Sequence, residues 1–221
     1  MAWTEQPIHF VDFEGSLTSG ILEYGVATLQ GGAVTAMHTR LCRATGGIRF
    51  KDAAVHGLQE AQLAGLALFA DDFELFAGLR ATGPLAAHFA GAENSLIKSV
   101  WPYGRSAPDF ARAGQQTLEW GPWIDTGAIY RQIYPQLTSL RLADAVTDCG
   151  LQPELDAQAA VYCPVERRHY HAAPYDALAG ALLLAWLARE PQLAGLSTMQ
   201  LLALSTLDGE KRDAMSQGEL F

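Results

Sequence analysis

Cysteine is scarce in this chain of 221 residues. Cys42, Cys149 and Cys163 are an odd number with no CxxC spacing, so neither a disulfide framework nor a zinc knuckle is supported. Such usage fits a reducing cytoplasm. Long apolar runs are missing too: the longest uncharged one, Ala177 to Ala188, has 12 residues, well below the roughly 20 that cross a bilayer. It is expected to form a buried helix, with no membrane contact. The first residues include Glu5 and lack a basic segment followed by an apolar one, so no secretory leader is expected. Positive charge is the third shortage. Fifteen lysines and arginines face 24 acids, a formal charge of −9. A bulk electrostatic grip on nucleic acid is therefore not expected, although acids that hold divalent cations lose most of their charge once loaded.

Apolar material is plentiful, with 49% hydrophobic and 18% charged residues. A chain of this size buries roughly 70% of its unfolded surface, so any metal serves chemistry and not folding. One domain over residues 1–205 and a polar, mobile tail over 206–221 are expected. Ile8 to Phe13, Ile21 to Leu29 and Ala33 to Leu41 read as strands, the last two joined at the turn pair Gly31-Gly32. Helices are expected over Ala70 to Leu79, Glu93 to Val100, Thr126 to Tyr134, Ser139 to Cys149, Pro174 to Arg189 and Ser197 to Ser205. Short strands fall at Leu85 to Ala87 and at Trp123 to Asp125. Between Trp101 and Gly121 the prolines and glycines read as an irregular insertion.

Asp12 and Glu14 stand two apart in VDFEGS at the end of the first strand, where a period of two puts both carboxylates on one face. Paired carboxylates are either solvated or neutralised by hard divalent cations. Far along the chain, His171 precedes Asp176 by five residues, and Pro174 opens the apolar helix. An acid in a first helical turn also complements the helix dipole. Each pattern alone is compatible with a purely structural role.

Taken in order, VDFEGS, ILEYGVATL, VHGL, LAAHFAGAENSLI, WIDTGAIY, SLRLADAVTDCGL and HAAPYDALAGALLL resemble the DEDDh exonucleases, the superfamily of proofreading subunits and oligoribonuclease. The resemblance covers residues 7 to 189. It implies an α/β, ribonuclease H-like fold with a central mixed β-sheet flanked by α-helices, and 3′-to-5′ removal of nucleotides with two Mg2+ or Mn2+ ions. By the same match, Asp12 bridges both metals, while Glu14 and Asp176 complete the site that activates water. His171 is the general base; the sister branch uses Tyr-x3-Asp, and the residue four before Asp176 here is Ala172.

Two departures stand out. The second motif usually ends in aspartate, and here it reads His88-Phe89-Ala90-Gly91-Ala92-Glu93, so Glu93 is the expected ligand, with an extra methylene that weakens or shifts the second metal. Gly15 and Ser16 replace the two threonines that commonly follow the first motif. Gly15, Ser16, Leu17 and Phe89 are candidate contacts for the terminal nucleotide, and Ser16 is equally suited to local turn bonding. His88 is expected to be packed, Asp125 or Thr126 to cap a helix, and Arg167 and Arg168 to grip phosphates or lie in solvent. The final QGELF resembles the bacterial sliding-clamp peptide, through Gln217, Leu220 and Phe221. The expected partner is a single-stranded DNA 3′ end, in replication or repair, with an RNA end or a non-catalytic adaptor as alternatives.

Overall fold

The computed structural model describes residues 2–210; Gln217, Leu220 and Phe221, the candidate clamp contacts, lie outside them. Five strands form one mixed sheet: β1 (Ile8–Ser16), β2 (Gly20–Gln30), β3 (Ala33–Leu41), β4 (Leu85–Ala87) and, counting the insertion hairpin below, β7 (Ile124–Asp125). Their order is β3-β2-β1-β4-β7, antiparallel among the first three and parallel from β1 to β4 to β7. The expected mixed α/β sheet is thus observed.

Alternation along β1 divides the molecule. Ile8 and Phe10, with their cross-strand partners Leu29 and Ala27, face one core; Val11 and Phe13, with Val26 and Tyr24, face the other. On the first side lies α8 (Ala173–Leu187), wrapped in turn by α5 (Thr126–Ile133), α6 (Leu142–Asp148) and α7 (Gln152–Tyr162). Helix α8 is apolar on nearly every face because the sheet covers one side and helices the other. Each fully buried leucine in it, such as Leu178 or Leu183, contributes about 1.5–3 kcal/mol. On the second side α3 (Phe73–Thr82) and α4 (Gly91–Val100) close an aromatic cluster of Phe13, Tyr24, Phe69, Phe76, Trp101 and Trp120.

Smaller elements complete the chain: α1 (Phe50–His56), α2 (Glu60–Leu63), α9 (Pro191–Ala194) and α10 (Thr198–Leu204). The stretch from Trp101 to Gly121, expected to be irregular, contains a two-residue-per-strand hairpin of β5 (Ala107–Pro108) and β6 (Gln116–Thr117). Strands that short show no alternation to read. Buried Arg80 pins the insertion by donating to the carbonyls of Trp120, Pro108 and Gly121 at 2.9–3.0 Å. Helix α7 was not expected, because only Leu155 and Ala159 are buried along it. Among the described residues, no helix is long and apolar enough to cross a membrane.

Candidate metal centre

Asp12 and Glu14 continue the parity of Ile8 and Phe10, so both project to the α8 side of the sheet. Their cross-strand partners decide what can approach. Opposite Asp12 is Gly25, and a Cβ built there would lie 2.2 Å from the Ala173 carbonyl oxygen and 2.6 Å from the Pro174 Cα. The missing side chain therefore lets the first turn of α8 settle directly on β2, which carries Asp176 to the carboxylates of β1. Opposite Glu14 is Glu23, fully buried, whose carboxylate accepts from Arg167 Nε at 2.9 Å, from Arg167 Nη2 at 2.6 Å and from the Ala173 amide at 2.9 Å.

Among the described residues, Glu14, His171 and Asp176 offer potential ligand atoms within 4.8 Å of one another. Asp176 Oδ2 accepts from the His171 amide at 2.9 Å, while its Oδ1 is buried without a partner; Glu93 Oε2 is likewise buried and unpartnered. Burial raises the proton affinity of all four acids. Asp12 is held well above the usual carboxylate range by burial and then by the charges of Asp176, Glu14, Glu93 and Glu23. Burial, Asp176 and Glu23 push Glu14 up to about 8, against the pull of Arg167. Burial takes Glu93 and Asp176 to about 7. Asp12 and Glu93 fall outside that group of three; Asp12 feels the charges of Asp176, Glu14 and Glu93, and Glu93 and Asp176 each present an oxygen that no protein donor satisfies. That donor set, all oxygen with one imidazole beside it, fits hard divalent cations.

The loops around the cage are held in unusual conformations. Phe89 (φ 62°) and His171 (φ 63°) are the non-glycine residues with left-handed backbone among the described residues, a conformation that costs about 1–3 kcal/mol and collects at functional sites. Asp125 holds the first: it accepts from the Phe89, Ala90 and Ala128 amides at 3.0–3.1 Å, capping α5 and fixing the loop that leads to Glu93. His88 is packed as expected, between the Thr126 hydroxyl at 2.9 Å and the Leu140 carbonyl at 2.7 Å. Asn94 faces away and accepts from Trp123 Nε1.

Other expectations resolve differently. Arg167 does not lie open to phosphates: its guanidinium serves Glu23 and the carbonyls of His56 and, at 3.4 Å, His171. Arg168 donates to the carbonyls of Cys163 and Ala160, closing the end of α7. Gly15 sits at a bulge with φ 138°, where a Cβ would meet the Gly20 carbonyl at 2.2 Å, so the hairpin itself demands glycine. Ser16 shares local bonds with Ser19 at 3.1–3.2 Å. Leu17 and Phe89 are exposed, at 70% and 41%. Glu23 escaped the sequence reading. A lone acid within the apolar run ILEYGV, facing Glu14 across a short turn, was the available signal.

No protein-family model matches the chain, and no curated protein matches it. Solved structures do. A structure of exonuclease X in complex with 5′-overhanging duplex DNA superposes with a TM-score of 0.66 at 20% identity, over 90% of this chain and 99% of that one. The nuclease domain of 3′hExo, a DEDDh family member bound to rAMP, gives 0.61 at 12% identity over 86% and 95%. E. coli exonuclease I with a dT13 oligonucleotide gives 0.64 at 12% identity, over 86% of this chain and 42% of that one. The chain therefore has the mixed-sheet, ribonuclease H-like fold of these exonucleases.

Proposed function

We infer that the chain is a metal-dependent 3′-to-5′ exonuclease that releases nucleoside 5′-monophosphates from single-stranded DNA ends. The observation that carries this reading is that Glu14, His171 and Asp176 bring potential ligand atoms within 4.8 Å of one another, next to an Asp176 oxygen that is buried without a donor. Buried acids without a compensating charge are costly, and two Mg2+ or Mn2+ ions offset that cost by oxygen ligation. When bound, such ions lower the pKa of water toward neutrality and stabilise charge on the attacking and leaving oxygens. Asp12, Glu14, Glu93 and Asp176 would hold them. His171, exposed beside Glu14 and Asp176, would take the proton of the attacking water as general base. The Arg167 contact to its carbonyl and the Asp176 contact to its amide orient its backbone.

Gly15, Ser16, Leu17 and Phe89 would receive the terminal nucleotide, Leu17 and Phe89 by apolar contact with its base. RNA ends are the second substrate to assay, since one of the similar structures holds rAMP. The terminal QGELF would tether the enzyme to a sliding clamp through Gln217, Leu220 and Phe221, which suits a role in replication or repair; pulldown that persists after deletion of residues 217–221 overturns that tether.

The test is incubation of end-labelled single-stranded DNA and RNA with magnesium or manganese. Mononucleotides are expected, and Asp12→Ala should lower the rate on the order of a hundredfold or more, the worth of a few kcal/mol of transition-state charge stabilisation. Equal release by Asp12→Ala overturns the reading. Binding with no release by the unmutated chain selects the non-catalytic alternative.

A further inference from the structure

The acids of this chain are unevenly spread: residues 24 to 51 contain none, yet carry Arg40, Arg43, Arg49 and Lys51. Arg40 is engaged by Asp72 and the Leu68 carbonyl. Arg43, Arg49 and Lys51 are exposed, and among the described residues none of them forms an ion pair. The segment ends in α1, whose outer side shows Lys51, Val55 and Phe50, the last 91% exposed. A single exposed apolar residue needs no explanation. An aromatic flanked by unpaired cations, in a chain of net charge −9, is a different matter.

Its position gives it meaning, because this ledge is fastened to the candidate centre at both ends. Arg49 Nη2 donates to Thr18 Oγ1 at 2.7 Å and the Thr45 amide to the Ser19 carbonyl at 2.9 Å, both in the turn that follows Ser16. Gly46 lies so near that a Cβ on it would be 2.2 Å from the Thr18 oxygen. At the far end of α1 the His56 carbonyl accepts from Arg167 at 3.0 Å, the same guanidinium that grips Glu23. Helix α1, about 10 Å long, therefore runs from the β1–β2 turn to the Arg167 anchor beside the acidic cage.

We propose that Arg43, Phe50 and Lys51 form a landing ledge for the single strand that leads to the reacting 3′ end. The two cations contact backbone phosphates upstream of the scissile one, and Phe50 stacks on a base, while Arg49 braces the turn. Cations interleaved with an aromatic are a sequence-tolerant grip on single strands, and here they offset repulsion between phosphates and an acidic molecule. The proposal rests on the exonuclease reading and deepens it.

The experiment measures affinity of the magnesium-loaded full chain for a fluorescent oligo(dT) of about a dozen nucleotides with phosphorothioate 3′ linkages, across a salt series. With about 0.7 ions released per single-strand phosphate contact, Arg43→Gln with Lys51→Gln should lower the log–log salt slope by about 1.4, and Lys51→Gln alone by half that. Phe50→Ala should weaken binding roughly tenfold at every salt concentration. Arg112→Gln with Arg141→Gln removes two exposed cations elsewhere and should leave the slope unchanged. An unchanged slope in the ledge variant, an equal fall in that control, or full affinity in Phe50→Ala overturns the ledge. Mononucleotide release by the unmutated chain, assayed in parallel, keeps the two ideas apart. No release overturns the exonuclease reading, whereas release with an unaltered slope overturns the ledge alone.

Discussion

Glu93 sets stability against chemistry within one side chain. Its carboxylate is buried, its Oε2 has no donor, and its proton affinity is raised to about 7, so above that pH a desolvated charge stands without compensation when metal is absent. Glu93→Gln keeps the shape and removes the charge. Without metal at pH 8, its melting temperature should exceed that of the parent, and the gain should vanish at pH 5, where the glutamate is already protonated. Exonuclease rate should fall on the order of tenfold or more in the same variant. Scanning calorimetry with a chelator and a mononucleotide-release assay check the two halves. The left-handed backbones at Phe89 and His171 belong to the same pattern, in which strain is held where the site needs it.

At the scale of elements, the contact between β2 and α8 governs the geometry. Gly25→Ala would drive a methyl into the backbone of Ala173 and Pro174, which no rotamer change relieves. A loss of about 1–3 kcal/mol is expected, with weaker Mn2+ binding because Asp176 is pushed from Asp12; titration calorimetry and thermal melts read both. Gly180 does the same for the contact between α8 and β1, where a Cβ would fall 2.0 Å from the Phe10 ring. Sequence periodicity made the strands and α8 visible, because alternation and a proline-led apolar run are strong local signals. The motif order pointed to Asp12, Glu14, Glu93, His171 and Asp176. What stayed hidden was non-local. That Glu23 meets Arg167 depends on pairing residues 144 apart, and no local pattern says whether an arginine in a polar loop turns inward. Helix α1 was missed because its seven residues bury little beyond His56.

For the whole molecule, the cage ties proton, metal and fold together. The folded-state affinities of Glu14 (about 8), Glu93 and Asp176 (about 7) exceed their ordinary values of 3.8 to 4.5. Between those limits these acids bind more protons folded than unfolded, so their contribution to stability without metal falls as pH rises through that window, while desolvated His9, His56 and His88 act in the opposite sense. On the proposed reading, divalent ions would compete with those protons for the same oxygens and reverse the trend. Melting temperatures taken with a chelator should drop from pH 5 to pH 8, and magnesium or manganese should raise them more at pH 8 than at pH 5. Equal metal-induced shifts at the two pH values would remove these carboxylates from the ion-binding account.

Ala173 and Glu23, bonded to each other, are separated by 150 positions, and α8 leaves the ribosome long after β1 and β2. A partly synthesised polypeptide carries the early acids without their late counterpart. A nascent chain therefore lacks the Asp176 carboxylate that neighbours Glu14 until α8 has been made.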